Sequence, residues 1–151
     1  MIVRHAARAF ATSSLVLAPL ALPAQAQPSD QVDSVATEDT VISVRKVADG
    51  LRSPWALAFL PDGRMLVTEK PGNLVIVSAD GTVSPPLSGT PEVFSEDQGG
   101  LMDVALHPQF ASNRMIYLTF AEPGQGGTAA TALGRGRLTD SGIEGWEVIW
   151  R

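Results

Sequence analysis

The chain has 151 residues, of which 44% are hydrophobic and 18% are charged, a composition that suits a globular domain with an apolar core. Sixteen acidic residues outnumber eleven basic ones, giving a formal net charge of −5. This balance argues against nucleic acid as a partner, because phosphate binding requires a basic face. The chain contains no cysteine, so no disulfide supports its fold.

The N-terminal segment has the pattern of a secretory signal. Arg4 and Arg8 precede an apolar run at 15–22, and Ala-Gln-Ala at 24–26 is a small-x-small cleavage site. The run is too short to cross a bilayer, which requires about 20 residues. We therefore expect a signal peptide over 1–26, no stable membrane span, and a periplasmic or secreted protein.

The remainder divides into a polar leader and a strand-rich region. Residues 27–40 are polar and acidic, which is typical of a flexible leader. From residue 41 onward, apolar alternation and turn residues predict strands over 41–47, 55–60, 65–69, 74–78, 102–106, 114–120, 130–138 and 147–150. The continuous apolar run at 55–60 predicts a strand covered on both faces. No window after the leader keeps a helical period with caps, so we expect no helix there.

One hairpin-like unit occurs twice. Ala-Phe-Leu-Pro before Arg-Met-Leu-Val-Thr at 58–68 returns as Ala-Leu-His-Pro before Arg-Met-Ile-Tyr-Leu-Thr at 105–119. The two prolines, Pro61 and Pro108, are 47 residues apart and the two arginines 50, so the second turn is three residues longer. This spacing is close to that of four-stranded propeller blades, roughly 40–50 residues.

The repeat predicts an all-β fold, a partial β-propeller that starts at residue 41. A closed ring needs about 4–8 blades, so residues 41–151 would supply only the first of them. The strand-like segment 146–151 ends without a turn or a covering helix, which also indicates truncation. Because such a piece has open faces and edges, we expect residues 27–151 made alone to aggregate or stay partly unfolded.

Three ordered motifs carry a family resemblance: Ser-Pro-Trp-Ala-Leu-Ala-Phe-Leu-Pro-Asp-Gly-Arg at 53–64, Leu-Val-Thr-Glu-Lys-Pro-Gly at 66–72, and Asp-Gln-Gly-Gly-Leu-Met-Asp-Val-Ala-Leu-His-Pro-Gln-Phe at 97–110. Together they resemble the start of the soluble aldose sugar dehydrogenases that depend on pyrroloquinoline quinone (PQQ), the glucose/sorbosone dehydrogenase family. The resemblance runs from about 41 to 151. It implies a six-bladed propeller whose N-terminal blades this chain would supply.

The resemblance also implies a reaction, the oxidation of an aldose at its anomeric carbon. In the family a histidine takes the hydroxyl proton, hydride passes to PQQ, calcium polarises the quinone, and an external acceptor removes the electrons. Gln98 matches the family's glutamine in a Gln-Gly-Gly-Leu turn at the cofactor and sugar pocket, so we expect it to contact PQQ. The alternative is that residues 98–100 form only a permissive turn before a strand.

No catalytic residue and no metal ligand are assigned within this chain. His107 is the only histidine after residue 26, but it matches a structural Leu-His-Pro corner of the family, whose catalytic histidine lies in a later His-x-Gly-Gly/Ser-Arg-Leu segment. Asp97 and Asp103 bracket the glycine turn, yet calcium requires about 6–8 oxygen ligands. We assign the three tryptophans, Trp55, Trp146 and Trp150, to packing. The chain alone is therefore expected to be inactive.

A different class of function is compatible with the same blade motifs. The propeller could act as an extracytoplasmic binding module, or as a calcium-dependent lactonase-type hydrolase, without the quinone. A catalytic histidine segment and basic residues in later blades would favour the dehydrogenase.

Overall fold

The structure, a computed structural model, describes residues 32–151 and is built almost entirely from β-strands. In this part of the chain the strands are β1 (Val32–Ala36), β2 (Val41–Arg45), β3 (Pro54–Phe59), β4 (Met65–Glu69), β5 (Asn73–Val77), β6 (Leu101–Leu106), β7 (Met115–Pro123), β8 (Ala129–Leu138) and β9 (Ile143–Trp150). One helical turn, α1 (Phe110–Asn113), and one 3₁₀ turn (Gln125–Gly127) complete the regular structure.

The strands form three antiparallel sheets. β1 and β2 make a hairpin, β3-β4-β5 make the first sheet, and β6-β7-β8-β9 make the second sheet. The segment after β5 runs back along it as an irregular fourth strand, since Ser84 donates its backbone N–H to the Ile76 carbonyl at 2.9 Å. The repeated unit falls on β3–β4 and on β6–β7, the first two strands of each sheet. The expected all-β class and the predicted pair of successive units are confirmed.

The first and second sheets remain separate and bury a shared apolar core between their faces. β6 lies against β3 and β4, so the first strand of the second sheet packs on the first two strands of its neighbour. The buried residues of this core are Leu60, Leu66, Leu74, Ile76, Leu87, Leu101, Val104, Phe110, Ile116, Leu118, Phe120, Ala132, Leu138 and Ile143. This packing determines where the loops at the ends of β3 and β6 meet.

A bulge interrupts the first strand of each sheet. In β3 the register shifts between Pro54 and Ala56, and the backbone N–H of Ala56 donates to the hydroxyl of Thr68 on β4 at 3.1 Å. In β6 the register shifts between Leu101 and Val104. There the N–H of Asp103 donates to the hydroxyl of Thr119 on β7 at 2.9 Å. The same device, a bulged strand with a threonine acceptor, therefore occurs in both repeats.

Thr68 also joins the two sheets. Its side chain is fully buried, and its hydroxyl donates to the backbone carbonyl of Met102, in the bulge of β6, at 2.6 Å. A buried polar group costs free energy unless it is paired. The Thr68 hydroxyl is paired twice, since it accepts from the Ala56 N–H of its own sheet and donates to the Met102 carbonyl of the next.

The prediction that no helix follows the leader is wrong, because the structure contains one helical turn, α1. In the first repeat a tight turn closes with a bond from the Leu60 N–H to the Arg64 carbonyl at 2.8 Å, and Gly63 adopts φ 86°. In the second repeat the turn is three residues longer and contains α1, which ends at Arg114 in the left-handed conformation, φ 58°. A single turn is too short to produce a helical period in the sequence.

The expected flexible leader, residues 27–40, contains a strand. Its segment Val32–Ala36 pairs with Val41–Arg45 across a turn in which the Thr37 N–H donates to the Thr40 carbonyl at 2.8 Å. The hairpin is exposed from residue 34 onward. The expected signal peptide, residues 1–26, lies outside the described residues. Within residues 32–151, no helix is both long and apolar enough to cross a membrane.

The prediction that 55–60 is covered on both faces is also wrong for this chain. Ala56 and Ala58 pack toward the second sheet. On the opposite face, Trp55, Leu57 and Phe59 are 44%, 51% and 71% exposed, because no described strand lies over that side.

Replacing Thr68 with valine tests the hydrogen bond that connects the two sheets. Valine keeps the volume but leaves the Ala56 N–H and the Met102 carbonyl without this partner, so we expect the free energy of unfolding to fall by about 1–3 kcal/mol. Urea unfolding followed by circular dichroism, at one fixed protein concentration, measures the change. Thr131→Val on β8 is the matched control, since Thr131 is exposed. Equal midpoints for the two variants would contradict the role of Thr68.

Candidate functional site

The Gln98 turn, residues 96–100, leads directly into β6. Gln98 is exposed and lies at the N-terminal end of this strand, the first of its sheet. Since β6 packs against β3, the turn stands where the first strands of the two sheets adjoin, away from the last strand of the second sheet, β9. The turn therefore presents a free amide at one end of the stacked sheets.

Backbone hydrogen bonds hold the turn to both sheets. Lys70, directly after β4, accepts the Leu101 N–H through its carbonyl at 3.1 Å and donates its ammonium group to the Asp97 carbonyl. On the other side, the Ala121 N–H of β7 donates to the Gly100 carbonyl at 2.9 Å. The position of the Gln98 amide is thus tied to the packing of the first sheet on the second.

The two glycines of the turn are required by the chain's own backbone. A Cβ on Gly99 would lie 2.3 Å from the Phe94 carbonyl oxygen, and one on Gly100 would lie 2.4 Å from the Lys70 carbonyl oxygen. Gly100 also adopts φ 137°, which other residues rarely reach. These contacts explain both glycines without a ligand. The predicted contact of Gln98 with a cofactor stays a prediction.

A buried carboxylate that sequence reasoning missed supports the same end of the first sheet. Glu69 is 3% exposed. Its Oε1 accepts the Arg52 backbone N–H at 2.5 Å, and its Oε2 accepts the side-chain amide of Asn73 at 2.8 Å. The sequence contains a signal for this role, because Glu69 ends a strand that begins with three apolar residues. It holds the segment before β3 against the turn between β4 and β5.

The acidic residues around the turn do not assemble a metal site. Asp103 lies within the bulge of β6, and its Oδ1 accepts the neighbouring Val104 N–H at 2.8 Å. Asp97 contacts Lys70 through its backbone carbonyl. Over residues 32–151, no group of three or more histidine, cysteine, aspartate or glutamate side chains could hold a metal ion. The donor set described here does not by itself fit calcium.

His107 occupies a corner at the other end of β6. Its Nδ1 accepts the Gln109 backbone N–H at 3.0 Å and lies 2.9 Å from the side-chain amide nitrogen of Asn113. The imidazole also stacks on Tyr117, with ring centroids 6.1 Å apart. With two donors directed at Nδ1, the ring secures the turn around α1, as its resemblance to a structural corner implied.

The three tryptophans differ in their surroundings. Trp146 packs against the core between the sheets and covers Gly134, where a Cβ would lie 2.2 Å from the indole ring. Trp55 and Trp150 are 44% and 59% exposed, so their expected assignment to packing is not seen within residues 32–151.

The resolved pKa shifts arise from surface ion pairs and hydrogen bonds outside the Gln98 turn. The guanidinium group of Arg64 hydrogen-bonds to Asp62 and lowers the pKa of that carboxyl. Arg151 lowers the pKa of Glu122 in the same way. Both pairs lie at the surface with a solvent-accessible partner, so they contribute little to stability.

Comparison with known proteins identifies relatives of this chain. The family described as Glucose / Sorbosone dehydrogenase matches residues 51–151. The aldose sugar dehydrogenase YliI of Escherichia coli is 49% identical over 100 residues, covering 66% of this chain and 27% of that protein. A protein of Synechocystis sp. described only as uncharacterized is 36% identical over 133 residues, covering 82% of this chain and 32% of that protein.

Solved structures of aldose sugar dehydrogenases also match this chain. The soluble aldose sugar dehydrogenase of Escherichia coli in its apo form matches with TM-score 0.67 and 46% identity, over 70% of this chain and 31% of that chain. The PQQ-bound aldose sugar dehydrogenase of Streptomyces coelicolor matches with TM-score 0.56 and 26% identity, over 82% and 35%. The chain thus spans about a third of the length of the relatives it matches.

Replacing His107 with alanine separates a structural role from a catalytic one. We expect a loss of about 1 kcal/mol in the free energy of unfolding, because the Gln109 and Asn113 donors lose their acceptor. Urea unfolding measures the loss, with Gln109→Ala as the control because that side chain is exposed. In a longer protein containing this chain, turnover per folded molecule should persist. A purely kinetic loss would overturn the structural assignment.

Proposed function

The chain belongs to the glucose/sorbosone dehydrogenase family, and we propose that it forms part of an exported, PQQ-dependent oxidoreductase that oxidises aldose sugars at the anomeric carbon. The family match supports the reaction class. The description of the Streptomyces coelicolor relative as PQQ-bound supports the cofactor. The observation that carries the proposal within this chain is the exposed Gln98 amide, held by both sheets where their first strands meet.

The proposed whole protein is a six-bladed propeller whose opening blades are the first and second sheets. Their shared strand order, their repeated bulges and their face-to-face packing support this architecture. In such a ring the first strands of all blades surround one central opening. Gln98, at the end of a first strand, would face the mouth of that opening.

Gln98 suits a binding and orienting role. Its amide can donate to a quinone carbonyl and accept from a sugar hydroxyl, and the rigid turn behind it limits the entropy lost on binding. PQQ, when bound, supplies the acceptor for the hydride that leaves the sugar. The calcium ligands and the proton-accepting histidine would come from other parts of the protein, and an external acceptor would remove the electrons.

The chain alone is proposed to be inactive. His107 is held in the corner around α1, and it is the single histidine of the described residues. With that imidazole engaged by backbone and side-chain donors at the opposite end of β6, His107 is not placed to accept a proton beside Gln98.

Reconstitution tests the proposed function. In a longer protein containing this chain, PQQ and calcium should produce dye reduction with one or more aldoses. Gln98→Ala should weaken PQQ binding about tenfold, the equivalent of one hydrogen bond of about 1.4 kcal/mol. Spectroscopic titration of PQQ measures the affinity directly. Gln109→Ala, an exposed glutamine at the opposite end of β6, is the matched control.

Two outcomes separate the parts of this proposal. An absence of cofactor-dependent dye reduction with every aldose tested would contradict the dehydrogenase. Dye reduction with unchanged PQQ affinity in Gln98→Ala would contradict the role of Gln98 alone.

A further inference from the structure

Lys70 contacts the Gln98 turn through its side chain as well as its backbone. Its backbone is fixed on both sides, since its N–H donates to the Ser53 carbonyl at 3.0 Å and its carbonyl accepts the Leu101 N–H at 3.1 Å. From this base the half-buried side chain extends to the turn, where its ammonium group donates to the backbone carbonyl of Asp97. The lysine therefore holds the peptide group that immediately precedes Gln98.

Gly100 determines the path of the Lys70 side chain. A Cβ on Gly100 would lie 2.7 Å from the Lys70 Cγ, which is closer than two carbon atoms approach without repulsion. A side chain at residue 100 would therefore displace the lysine stem. The glycine allows the stem to cross the turn and to reach the Asp97 carbonyl.

The peptide group before Gln98 lies at the centre of a strained turn. The Gly99 N–H donates to the Glu96 carbonyl at 2.7 Å, so residues 96–99 form a four-residue turn with Asp97 and Gln98 at its two central positions. Asp97 adopts φ 45°, in the left-handed region that favours glycine, whereas Gln98 lies outside that region. The conformation of Asp97 costs free energy, which contacts from outside the turn must offset.

Rotation of the central peptide group would change the direction of the Gln98 side chain. Turns of types I′ and II′ both have a positive φ at the first central residue, but only type I′ has one at the second. The two types differ in the orientation of the peptide group between those residues, which here carries the Asp97 carbonyl and the Gln98 N–H. Lys70 favours the observed orientation, because the rotated one loses a charge-assisted hydrogen bond.

We propose that Lys70 is a positioning residue for Gln98, whose ammonium group keeps the 97–98 peptide in the orientation that directs the Gln98 amide to the cofactor. This inference rests on the proposed function, in which Gln98 contacts PQQ. Lys70 touches neither cofactor nor sugar in this role. When a binding residue adopts its competent orientation only part of the time, the apparent affinity falls by that fraction. The effect of Lys70 on PQQ binding therefore passes entirely through Gln98.

Nuclear magnetic resonance measures the orientation of this peptide group without the cofactor. In protein labelled with ¹⁵N-glutamine, the backbone N–H resonance of Gln98 is identified by its loss in Gln98→Ala. Lys70→Met keeps an unbranched stem beside Gly100 but removes the ammonium group, so we expect this resonance to shift or broaden. Lys70→Arg should preserve it, since a guanidinium group also donates to a carbonyl.

The matched control is Lys46→Met. Lys46 is the other lysine of the chain, and it lies exposed just after β2. This variant should leave the Gln98 resonance unchanged. An unchanged Gln98 resonance in Lys70→Met as well would overturn the proposal.

Titration with PQQ tests whether the lysine acts through Gln98, in a longer protein containing this chain. Lys70→Met and a second neutral variant, Lys70→Leu, should each weaken PQQ binding about fivefold, as a competent fraction of about one fifth requires. In the Gln98→Ala background, Lys70→Met should change the affinity by less than about twofold, because residues that act as one unit are not additive. Urea unfolding checks that every variant is folded.

The outcomes separate this inference from the proposed function. A parent protein that does not bind PQQ would overturn the proposed function and this inference with it. PQQ binding that is equally tight in the parent and in Lys70→Met would overturn the positioning role alone. A fivefold loss that persists in the Gln98→Ala background would also overturn that role, because the lysine would then act on the cofactor without Gln98.

Discussion

The buried hydroxyl of Thr68 is the interaction on which the arrangement of the two sheets depends. The register of β3 shifts between Pro54 and Ala56, and the Ala56 N–H donates to the Thr68 hydroxyl. The same hydroxyl donates to the carbonyl that the bulge of β6 directs toward it, at Met102. Apolar burial drives the sheets together without direction, whereas this pair of bonds sets their relative position.

The position of the candidate site depends on this hydrogen-bonded contact between the two sheets. Thr68 contacts Met102, and Lys70, two residues further along the chain, accepts the Leu101 N–H. Consecutive residues of β6 are therefore bound by the segment at the end of β4. The Gln98 turn is attached to this short stretch, with Gly100 packed on the Lys70 carbonyl. A change in the packing of the sheets would move the Gln98 amide together with β6.

The strands and the repeat could be read from the sequence because they depend on local patterns. Apolar alternation and Pro-Asp-Gly or Asp-Gly turns place the strands of both sheets to within a few residues. The bulges could not be read in the same way, since they depend on the register between β3 and β4, which no local pattern in either strand fixes. The exposure of Leu57 likewise depends on which neighbour covers β3 rather than on the strand itself.

In the candidate site, too, the features that depend on local sequence could be predicted and those that depend on contacts with other elements could not. Gln98 was identified because its motif is local and resembles a family pattern. Glu69 was missed, because its importance lies in two donors outside its own strand, the Arg52 N–H before β3 and the Asn73 amide at the start of β5. The family likeness supplied the expected chemistry. The structure supplies the reason that the glycines beside Gln98 are required.

Amide hydrogen exchange at Ala56 is the most direct measurement of this account. The N–H of Ala56 donates to the Thr68 hydroxyl at 3.1 Å, so its protection should depend on that side chain. In the parent chain we expect slow exchange. In Thr68→Val we expect fast exchange at Ala56 while Leu66 on β4, paired with Ala58, remains protected. Unchanged protection of Ala56 in that variant would contradict the central role of the hydroxyl.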